Sequence, residues 1–389
     1  MSQPDSALRI LLIYRRMIPS IRLCGHCQLE DLAAKGKIEY RPRQGMRVSR
    51  ADLDWAETVL LGRLDSWYER ELVKRLRAAG KRLVYILDDD LLHVPPEVSS
   101  ASYYNQKQIR ECVGDIIGMS DAVLSPSPLL LEKYAVNGRK AIRIEEPALR
   151  PAAWAPHAPE EPVKIGFAGS VDRMGDIERI LREVLPRIRR EYGDRVRFEF
   201  FGAVPSFAAE LKAECIPYTD SYEGYRETLN GRHWDIGLAP MPESPFHACK
   251  HYNKFVEYAA AGIAGIYSDV APYDRLRAFP GCAVLCGNEP EEWTAAIRRL
   301  LEDGGLREDM RKKAAECAAG PLSVERSGEA LLQAMEELGR PEAGKVRCRS
   351  LELLKIMNIF KRTASSLRGH GIRGFAKRAV SMVFRGKES

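Results

Sequence analysis

The sequence predicts an α/β protein of two consecutive units, each with a parallel sheet covered by helices. The first observation is that short apolar runs alternate with helix-like segments from Leu8 to Glu146. A stretch dense in proline and alanine follows, Glu145–Pro162, and the alternation then restarts at Val163. Strand–helix alternation is typical of parallel sheets with helices on both faces. The length of 389 residues agrees with two domains of roughly 150–170 residues each.

The elements of the first unit are read from periodicity and from turn residues. The predicted strands are Leu8–Tyr14, Thr58–Arg63, Arg82–Leu87, Ala122–Ser127 and Ala141–Glu146. The predicted longer helices are Gln28–Lys35, Trp67–Ala79 and Tyr104–Met119. Gly80 is placed to end the second of these helices. The unit therefore occupies residues 1–150, and a proline-rich linker occupies residues 151–162.

The second unit repeats the pattern over residues 163–320. The predicted strands are Val163–Ser170, Arg197–Gly202, Asp235–Met241 and Ile263–Ser268. The predicted helices are Asp176–Glu191, Phe207–Glu214, Asn253–Ala261, Glu291–Glu302 and Leu306–Ala318. A further helix within 321–340 either returns to the first domain or ends the second one. Since open α/β sheets bind ligands at the carboxyl ends of their strands, we expect the active site in the cleft between the domains.

Composition excludes several classes of protein. Apolar residues make up 45% and charged residues 29%, as in globular proteins. No apolar run approaches the ~18–20 residues of a membrane span. The first apolar segment contains Arg9 and is followed by Arg15 and Arg16, unlike a signal peptide. The nine cysteines are an odd number and are scattered, which favours reduced thiols in the cytoplasm.

A glycine–serine turn in the second unit is a candidate phosphate site. Residues 166–176 leave a predicted strand and enter a predicted helix. Gly169 allows close backbone approach, and the following amides with the helix N-terminus favour an anion. The spacing is not that of the GxGxxG fingerprint, so a nicotinamide enzyme is not supported. Taken alone, such a turn is also an ordinary structural element.

A second candidate lies at the start of the helix Asn253–Ala261. Lys250, Lys254 and Glu257 are separated by four and three positions, so they face the same side of the helix. Two cations near a helix start are disfavoured by the helix dipole unless an anion lies there. The alternative is a solvated charged face.

Together these two segments, AGS and NKFVEYAAAGIAGIYSD, resemble the donor-binding half of two-domain (GT-B fold) glycosyltransferases of the family 4 group and its relatives. The resemblance covers Val163 to about Ala319 well and the first domain more loosely. It implies two Rossmann-like domains that face each other across a cleft, the first on the acceptor side and the second binding a nucleotide sugar. It also implies that Glu257 contacts the ribose of the donor.

The sequence departs from the family at two points. Cys249 stands where the family often has a glutamate that contacts the transferred sugar, and the paired arginine and lysine that hold the diphosphate do not align cleanly after Gly169. Arg173 is the nearest cation, and Lys250 or Lys254 is placed to supply a second charge. Such side chains and helix dipoles stabilise the leaving diphosphate without a metal in this fold. The predicted donor contacts are Gly169, Ser170, Arg173, Lys250, Asn253, Lys254 and Glu257.

Three carboxylates follow a buried strand of the first unit. Asp88, Asp89 and Asp90 are expected at the carboxyl end of the sheet, where crowded like charges indicate a raised pKa, a partner cation or a substrate hydroxyl. Related two-domain transferases resemble this chain in a pair of aspartates after this strand. We expect Asp88 or Asp89 to orient the acceptor or act as a base, with His93 as a rival base. A structural capping network is the alternative.

The motif Cys24-Gly25-His26-Cys27 has the spacing of a redox-active thiol pair. It lies in the first strand-to-helix loop, which in the two-domain glycosyltransferases faces the cleft and is usually rich in glycine. We therefore expect Gly25 to permit close approach of the substrate, with Arg22 and His26 as cleft contacts. A thiol oxidoreductase that uses Cys24 and Cys27 is the less favoured interpretation.

The tail over residues 345–389 differs in charge from the rest of the chain. It carries twelve Lys or Arg against Glu352 and Glu388, which is a net charge of +10. Because the whole chain has a net charge of +6, the preceding residues have a net charge of about −4. Bulky apolar residues interleave with these cations, as in amphipathic helices at a membrane interface. A basic helical hairpin packed on the body is the alternative. No nucleic-acid-binding module is recognisable, and we expect no nucleic-acid partner.

The sequence thus predicts a glycosyltransferase that moves a hexosyl or deoxyhexosyl group from a nucleotide-diphosphate sugar to a glycan or lipid-linked acceptor. We expect no cofactor and no metal, a place at the inner face of the cell membrane, and a role in bacterial-type surface polysaccharide synthesis. Retention of configuration is implied by the resemblance alone. A nucleotide-sugar epimerase on the same fold and a non-catalytic sugar-nucleotide or lipid-binding protein are the other hypotheses.

Overall fold

The computed structural model describes residues 7–149, 162–219, 221–342, 344–346 and 351–361. Residues 151–161 of the predicted linker, and residues 347–350 and 362–389 of the predicted basic tail, lie outside the described residues. The predicted fold class is confirmed: the chain folds into two α/β domains, each with a parallel sheet.

The first domain contains a six-stranded sheet in the order β2-β1-β3-β4-β5-β6, and all paired strands are parallel. Its strands are β1 (Leu8–Tyr14), β2 (Ile38–Gln44), β3 (Thr58–Gly62), β4 (Arg82–Ile86), β5 (Ala122–Ser125) and β6 (Lys140–Arg143). Its helices are α1 (Pro19–Ile21), α2 (Cys27–Ala34), α3 (Arg50–Trp55), α4 (Trp67–Ala78), α5 (Ala101–Tyr104), α6 (Lys107–Met119) and α7 (Pro128–Tyr134). The segment Arg22–His26 forms a π-helical turn, and Gly45–Arg47 forms a 3₁₀ turn.

The second domain contains a six-stranded parallel sheet in the order β12-β11-β10-β7-β8-β9. Its strands are β7 (Val163–Gly169), β8 (Val196–Gly202), β9 (Glu214–Ile216), β10 (Ile236–Ala239), β11 (Ala264–Ser268) and β12 (Ala283–Cys286). Its helices are α8 (Met174–Leu181), α9 (Val184–Tyr192), α10 (Tyr222–Arg232), α11 (Pro245–Ala248), α12 (Asn253–Ala261), α13 (Pro290–Glu302) and α14 (Gly304–Ala319).

Local sequence explains why these elements form. Helix α4 begins with a capping box, in which Ser66 Oγ accepts from the amide of Glu69 and the Glu69 carboxylate accepts from the amide of Ser66. The central strands β3 and β4 consist mainly of fully buried aliphatic residues. Such continuous apolar runs are typical of parallel strands covered on both faces.

Helix α15 (Val324–Glu337) packs against helix α2 of the first domain. Its residues Leu331 and Met335 are buried in the apolar cluster on that side of the first sheet. Ser327 Oγ accepts from Gln28 Nε2 at 3.0 Å and donates to the carbonyl of Glu145 at 2.7 Å. The chain therefore crosses back to the first domain after completing the second.

Residues 351–361 form a last described helix, α16, which lies on the first domain. Leu351 and Leu354 are buried in the core cluster of that domain, and Lys361 Nζ lies 3.6 Å from the ring centroid of Trp67. The opposite face of the helix is apolar and exposed. Its residues are Leu353, Ile356, Met357, Ile359 and Phe360.

Candidate active site

A cleft at the carboxyl ends of both sheets contains two cavities. The first, of about 560 Å³, is lined by Arg15, Arg63, Arg173 and Lys250, and we call it the arginine cavity. The second, of about 400 Å³, is lined by several tyrosines, and we call it the tyrosine cavity; these are Tyr218, Tyr222 and Tyr225. Ile18 and Ser170 line both, so the two cavities are neighbouring parts of one cleft.

Parallel aromatic rings form one wall of the tyrosine cavity. Tyr225 stacks on Phe201 with a centroid distance of 5.0 Å and an interplanar angle of 21°. Tyr222 lies parallel to Tyr225 at 6.1 Å and 16°. Helix α10 holds both tyrosines and is capped by Ser221, whose Oγ accepts from the amide of Gly224. Flat π faces of this kind suit a planar heterocycle such as a nucleobase.

Glu257 of helix α12 lies beside these rings in the tyrosine cavity. Its Oε2 accepts from Tyr225 Oη at 2.7 Å and from Lys254 Nζ at 2.6 Å. Within the described residues, no hydrogen bond to Oε1 of Glu257 is found. The carboxylate is therefore held in place through one oxygen while the other is available to a ligand hydroxyl.

The floor of the cleft depends on two glycines at the ends of β7 and β8. Gly202 has φ +87°, and a Cβ there would lie 2.3 Å from the carbonyl oxygen of Gly169. Gly169 in turn accepts from the amide of Ala203 at 2.8 Å. The two strand ends approach closely because Gly202 carries no side chain, whereas a Cβ on Gly169 would meet the ring of Phe167 at 2.8 Å. Gly169 and Ser170 form part of the cavity wall.

Cations from both domains meet in the arginine cavity. Arg173 donates to the carbonyl of Pro240 at 2.6 Å and pairs with Asp176 at 3.1 Å. Lys250 Nζ lies 2.7 Å from Asp89 Oδ1 across the domain boundary. Arg15 is bonded to Asp65 and Tyr103 of the first domain. The five cations that line the cavity outnumber its three carboxylates, Asp65, Asp89 and Asp172, and this excess of positive charge suits an anionic ligand.

Asp88 and Asp89 follow β4 as predicted, but they differ in environment. Asp89 lines the arginine cavity, whereas Asp88 is buried and lines neither cavity. Arg63 bridges the two, 3.3 Å from Asp88 and 3.4 Å from Asp89. Burial raises the pKa of Asp88; burial acts on Asp89 in the same sense, but Lys250 and Arg63 hold the pKa of Asp89 down at about 2. Asp89 is thus ionised at neutral pH.

The structure does not bring His93 to the cleft, so its interpretation as a rival base is corrected. Its Nδ1 lies 3.0 Å from Asp90 Oδ1 and 2.9 Å from Lys133 Nζ, and it lines neither cavity. Tyr134 also bonds to Asp90. Asp90, His93 and Lys133 form a separate polar cluster, although Leu91 and Val94 of the same loop line the arginine cavity.

The prediction for the loop that contains Gly25 is corrected in part. Arg22 lines the tyrosine cavity and pairs with Glu223 at 2.9 Å. Gly25 instead lies against the sheet, where a Cβ would be 3.2 Å from Ile86 Cδ1. His26 points away from the cleft, with Nδ1 2.7 Å from Tyr40 Oη. The helical turn Arg22–His26 places alternate sides of this loop in the cleft and in the core.

The two cysteines of the same loop are unsuited to redox catalysis. Cys24 is fully buried and donates to Glu146 Oε1 at 2.9 Å. Burial raises the pKa of the Cys24 thiol well above its usual value and raises that of Cys27 to about 12. Since the thiolate is the reactive species, the raised pKa values of both thiols count against a thiol oxidoreductase.

Asn253 belongs to the contact between the domains and lines neither cavity. Its Oδ1 lies 2.7 Å from His251 Nδ1, and His251 Nε2 lies 3.0 Å from Glu145. Glu145 also pairs with Arg275 at 2.9 Å. Burial alone would raise the pKa of Glu145, but His251 and Arg275 lower it to about 2, so a charged cluster fastens the domains together behind the cleft.

Many cleft residues were not among the predicted site residues, and they include three arginines and the two stacked tyrosines. These five are Arg15, Arg16, Arg63, Tyr222 and Tyr225. The available signals were the Arg15-Arg16 pair directly after a buried strand, Arg63 after the next buried strand, and the three-residue spacing of two tyrosines. Each of the first two follows from the rule that ligands bind at the carboxyl ends of parallel strands.

No protein-family model matches the chain, and no curated protein matches it in sequence. Solved structures share its fold. Sucrose-phosphate synthase from Thermosynechococcus elongatus is 13% identical with a TM-score of 0.60, over 85% of this chain and 99% of that one. A glycosyltransferase from Rickettsia africae is 13% identical with a TM-score of 0.56, over 86% and 99%.

A Listeria monocytogenes protein assigned as a UDP-N-acetylglucosamine 2-epimerase is also similar. It is 12% identical with a TM-score of 0.52, over 87% of this chain and 99% of that one. These likenesses span nearly the whole of each relative. They show that the chain has the two-domain GT-B fold, as the sequence resemblance implies.

Proposed function

We propose that the protein is a glycosyltransferase that takes its sugar from a nucleoside-diphosphate sugar. The observation that carries this proposal is that the tyrosine cavity, with stacked rings and a held carboxylate, joins the cation-lined arginine cavity at Ser170. A nucleotide sugar has the same order of parts: a flat base, a ribose with hydroxyls, a diphosphate and a sugar. The fold shared with a known glycosyltransferase agrees with this assignment.

In the proposed complex the base lies on the face of Tyr222, and Glu257 accepts from the ribose hydroxyls. The diphosphate lies near Ser170, with Arg173 and Lys250 on the side of the arginine cavity. The bond between the anomeric carbon and the diphosphate breaks, a bond to the acceptor oxygen forms, and the proton of the acceptor hydroxyl passes to the departing diphosphate. Arg173 and Lys250 then stabilise the negative charge that develops on the departing diphosphate, so no metal is required.

We assign Asp89 to orientation of the acceptor. Its carboxylate lines the arginine cavity, and a pKa of about 2 makes it a weak base at neutral pH. As an ionised group it accepts hydrogen bonds from sugar hydroxyls while it holds Lys250 in the cleft. Asp88, buried behind it, positions Arg63. Retention of configuration, hexosyl or deoxyhexosyl transfer and a role in surface polysaccharide synthesis remain expectations from the family resemblance.

We further propose that the protein binds peripherally to the cytoplasmic face of a membrane through residues 345–389. Helix α16 exposes Leu353, Ile359 and Phe360, with 56%, 57% and 68% of their surface accessible. An exposed apolar helix face within a strongly basic segment suits an anionic lipid surface. In the described part of the chain, no helix has the length and apolarity needed to cross a bilayer.

An epimerase is the second candidate because a protein assigned as a UDP-N-acetylglucosamine 2-epimerase shares the fold. Both reactions begin with the same class of ligand in the same cleft. Incubation with UDP-sugars separates them: a transferase releases nucleoside diphosphate only when an acceptor is present, whereas an epimerase converts the sugar without one.

Thermal unfolding in the presence of UDP-, GDP-, dTDP- and ADP-sugars tests the proposed donor class. We expect at least one to raise the unfolding temperature, and Glu257→Gln to reduce that shift. Glu227→Gln, an exposed position on helix α10 that lines neither cavity, is the matched control and keeps the full shift. The proposal fails if none of the four donors stabilises the wild-type protein.

A further inference from the structure

A third cavity, of about 470 Å³, opens on the first domain, and we call it the rim cavity. It lies at the carboxyl ends of β1 and β2, whose last residues, Tyr14 and Gln44, are register partners and both line it. Arg43 belongs to β2, Arg16 follows β1 and Arg47 ends the 3₁₀ turn after β2. The rim cavity therefore opens at the carboxyl edge of the sheet, which is the edge at which open α/β sheets bind ligands.

The rim cavity is positively charged. Arg43 is tied to Asp52, with Nε 3.1 Å from Oδ2. The side chains of Arg16 and Arg47 are exposed, and within the described residues neither has a hydrogen bond or an ion pair. Among the described residues that line the cavity there is no aspartate or glutamate. Three guanidinium groups around one cavity suit a phosphate, which arginine binds with paired hydrogen bonds.

The rim cavity is connected to the cleft. Arg16 also lines the arginine cavity, and Met17 also lines the tyrosine cavity. A molecule with its anionic group in the rim cavity can therefore extend into the place where the sugar is transferred. On the proposed function, the diphosphate of the donor already lies beside Ser170, Arg173 and Lys250. The anion of the rim cavity then belongs to the other substrate.

Helix α16 contacts the 3₁₀ turn Gly45–Arg47, whose last residue lines the rim cavity. Asn358 Nδ2 donates to Met46 Sδ at 3.3 Å, and Met46 precedes Arg47 in the chain. Asn358 therefore lies beside the turn that ends at Arg47, and the same helix exposes apolar residues, among them Met357 and Phe360. A phosphate that carries a hydrocarbon chain fits both features, since the head group meets cations and the chain meets an apolar surface.

We propose that the rim cavity binds a phosphate group of the acceptor through Arg16, Arg43 and Arg47. The assignment of this phosphate to the acceptor rests on the proposed function, whereas the phosphate site itself rests on the three arginines. A lipid-linked phosphate and a phosphate on a water-soluble acceptor share this chemistry, and the experiment distinguishes them.

Calorimetric titration of the full chain with farnesyl phosphate, farnesol and inorganic phosphate tests the site. We expect farnesyl phosphate to bind the wild-type protein, and Arg16→Gln and Arg47→Gln each to weaken it about tenfold, the effect of losing one charged hydrogen bond. Arg110→Gln, an exposed position on helix α6 outside the three cavities, is the control and binds as the wild type does. Farnesol should bind weakly to all of them.

If inorganic phosphate binds as tightly as farnesyl phosphate and both respond to Arg47→Gln, the phosphate site is supported and the acceptor is water-soluble. Equal binding of farnesyl phosphate to the wild type and to the Arg16→Gln, Arg47→Gln double variant overturns the proposal. So does a wild-type protein that binds neither phosphate. UDP titrated into Arg47→Gln reports the donor site independently, so failure of the donor assignment is seen separately.

Discussion

The tyrosine cavity and the arginine cavity are neighbours in one cleft, but they are built in different ways. The tyrosine cavity takes its rings and its carboxylate from the second domain, on helices α10 and α12. The arginine cavity takes charges from both domains, and Lys250 of the second pairs with Asp89 of the first. On the proposed function, nucleoside binding would therefore depend mainly on one folded domain, whereas the chemical step would depend on how the two domains meet.

This difference predicts that variants of the two cavities have different kinetic signatures. Loss of a ring should weaken donor binding in the ground state and in the transition state alike. This raises KM and leaves kcat unchanged. Loss of a charge should affect the transition state more than the ground state, because negative charge grows on the diphosphate as it leaves, and this lowers kcat.

The largest effect is expected from Lys250→Met, which removes a cation from the arginine cavity and leaves Asp89 paired with Arg63 alone. We expect kcat for sugar transfer to fall about 100-fold or more, as when one stabilising donor is removed from an active site. The measurement is steady-state transfer from the donor that stabilises the protein most. Lys312→Met on the exposed face of helix α14 is the control and should retain full activity.

A variant with normal kcat and a raised KM would contradict the assignment of Lys250 to the transition state. Lys250 would then bind the donor equally well in the ground state and in the transition state, as the tyrosines are expected to do.

The next largest effect is a pH-dependent change in stability that we expect at Glu146. This residue contacts Cys24 of the first domain and His251 of the second. Burial raises the pKa of Glu146 to about 7, above the 4.5 of the unfolded chain. Between these values the folded state retains a proton that the unfolded state releases, so stability is lost as the pH rises. We compare the free energies of unfolding of Glu146→Gln and the wild type by urea unfolding at pH 5 and pH 8. The free energy of unfolding of the variant, relative to that of the wild type, should be about 2–3 kcal/mol higher at pH 8 than at pH 5.

The wild-type protein at the same two pH values is the reference, since titrating groups that do not interact with Glu146 contribute equally to both proteins. A difference between the variant and the wild type that does not change with pH would mean that Glu146 is ionised in the folded protein throughout.

A smaller effect is expected from Tyr222→Ala in the tyrosine cavity. Loss of one aromatic face should weaken binding of the nucleoside monophosphate about tenfold, because stacking on a base is worth about 1–3 kcal/mol. Fluorescence or calorimetric titration measures it. Tyr192→Phe, whose hydroxyl bonds to Glu302 away from the cleft, is the control. Unchanged affinity in Tyr222→Ala would mean that the base does not bind against this wall of the tyrosine cavity.

The smallest effect is expected from Tyr225→Phe. The substitution keeps the ring in the stack and removes the hydrogen bond from Tyr225 Oη to Glu257. Lys254 still holds the carboxylate, so we expect KM for the donor to rise only about threefold, the loss of one ordinary hydrogen bond. A loss larger than that of Tyr222→Ala would mean that the hydroxyl contacts the donor directly.

The fold was largely predictable from the sequence, because buried strands, glycine turns and helix faces are local patterns. Lys254 and Glu257 could be placed on one helix face from their spacing alone. Strand β2 was missed because Ile38–Gln44 is polar and contains Pro42, which an edge strand tolerates. Helix α10 was missed because Gly224 and Gly231 weaken its helical pattern.

The single helix predicted over Asp176–Glu191 is two helices, α8 and α9, with the break shortly before Pro186. The helix predicted over Phe207–Glu214 is an irregular segment followed by β9. The errors in the site have a different cause. His93 and His26 have suitable side chains near the ends of strands, but local patterns do not determine which way a loop turns after its first residues.

Titration of the two cavities with a series of ligands tests the central claim most directly. The ligands are a nucleoside, its monophosphate and its diphosphate, with the base that stabilises the protein most. We predict that Tyr222→Ala weakens all three by the same factor, whereas Lys250→Met weakens only the diphosphate. If Lys250→Met leaves the affinity for the diphosphate unchanged, the arginine cavity does not hold the phosphates of the donor and the account is contradicted.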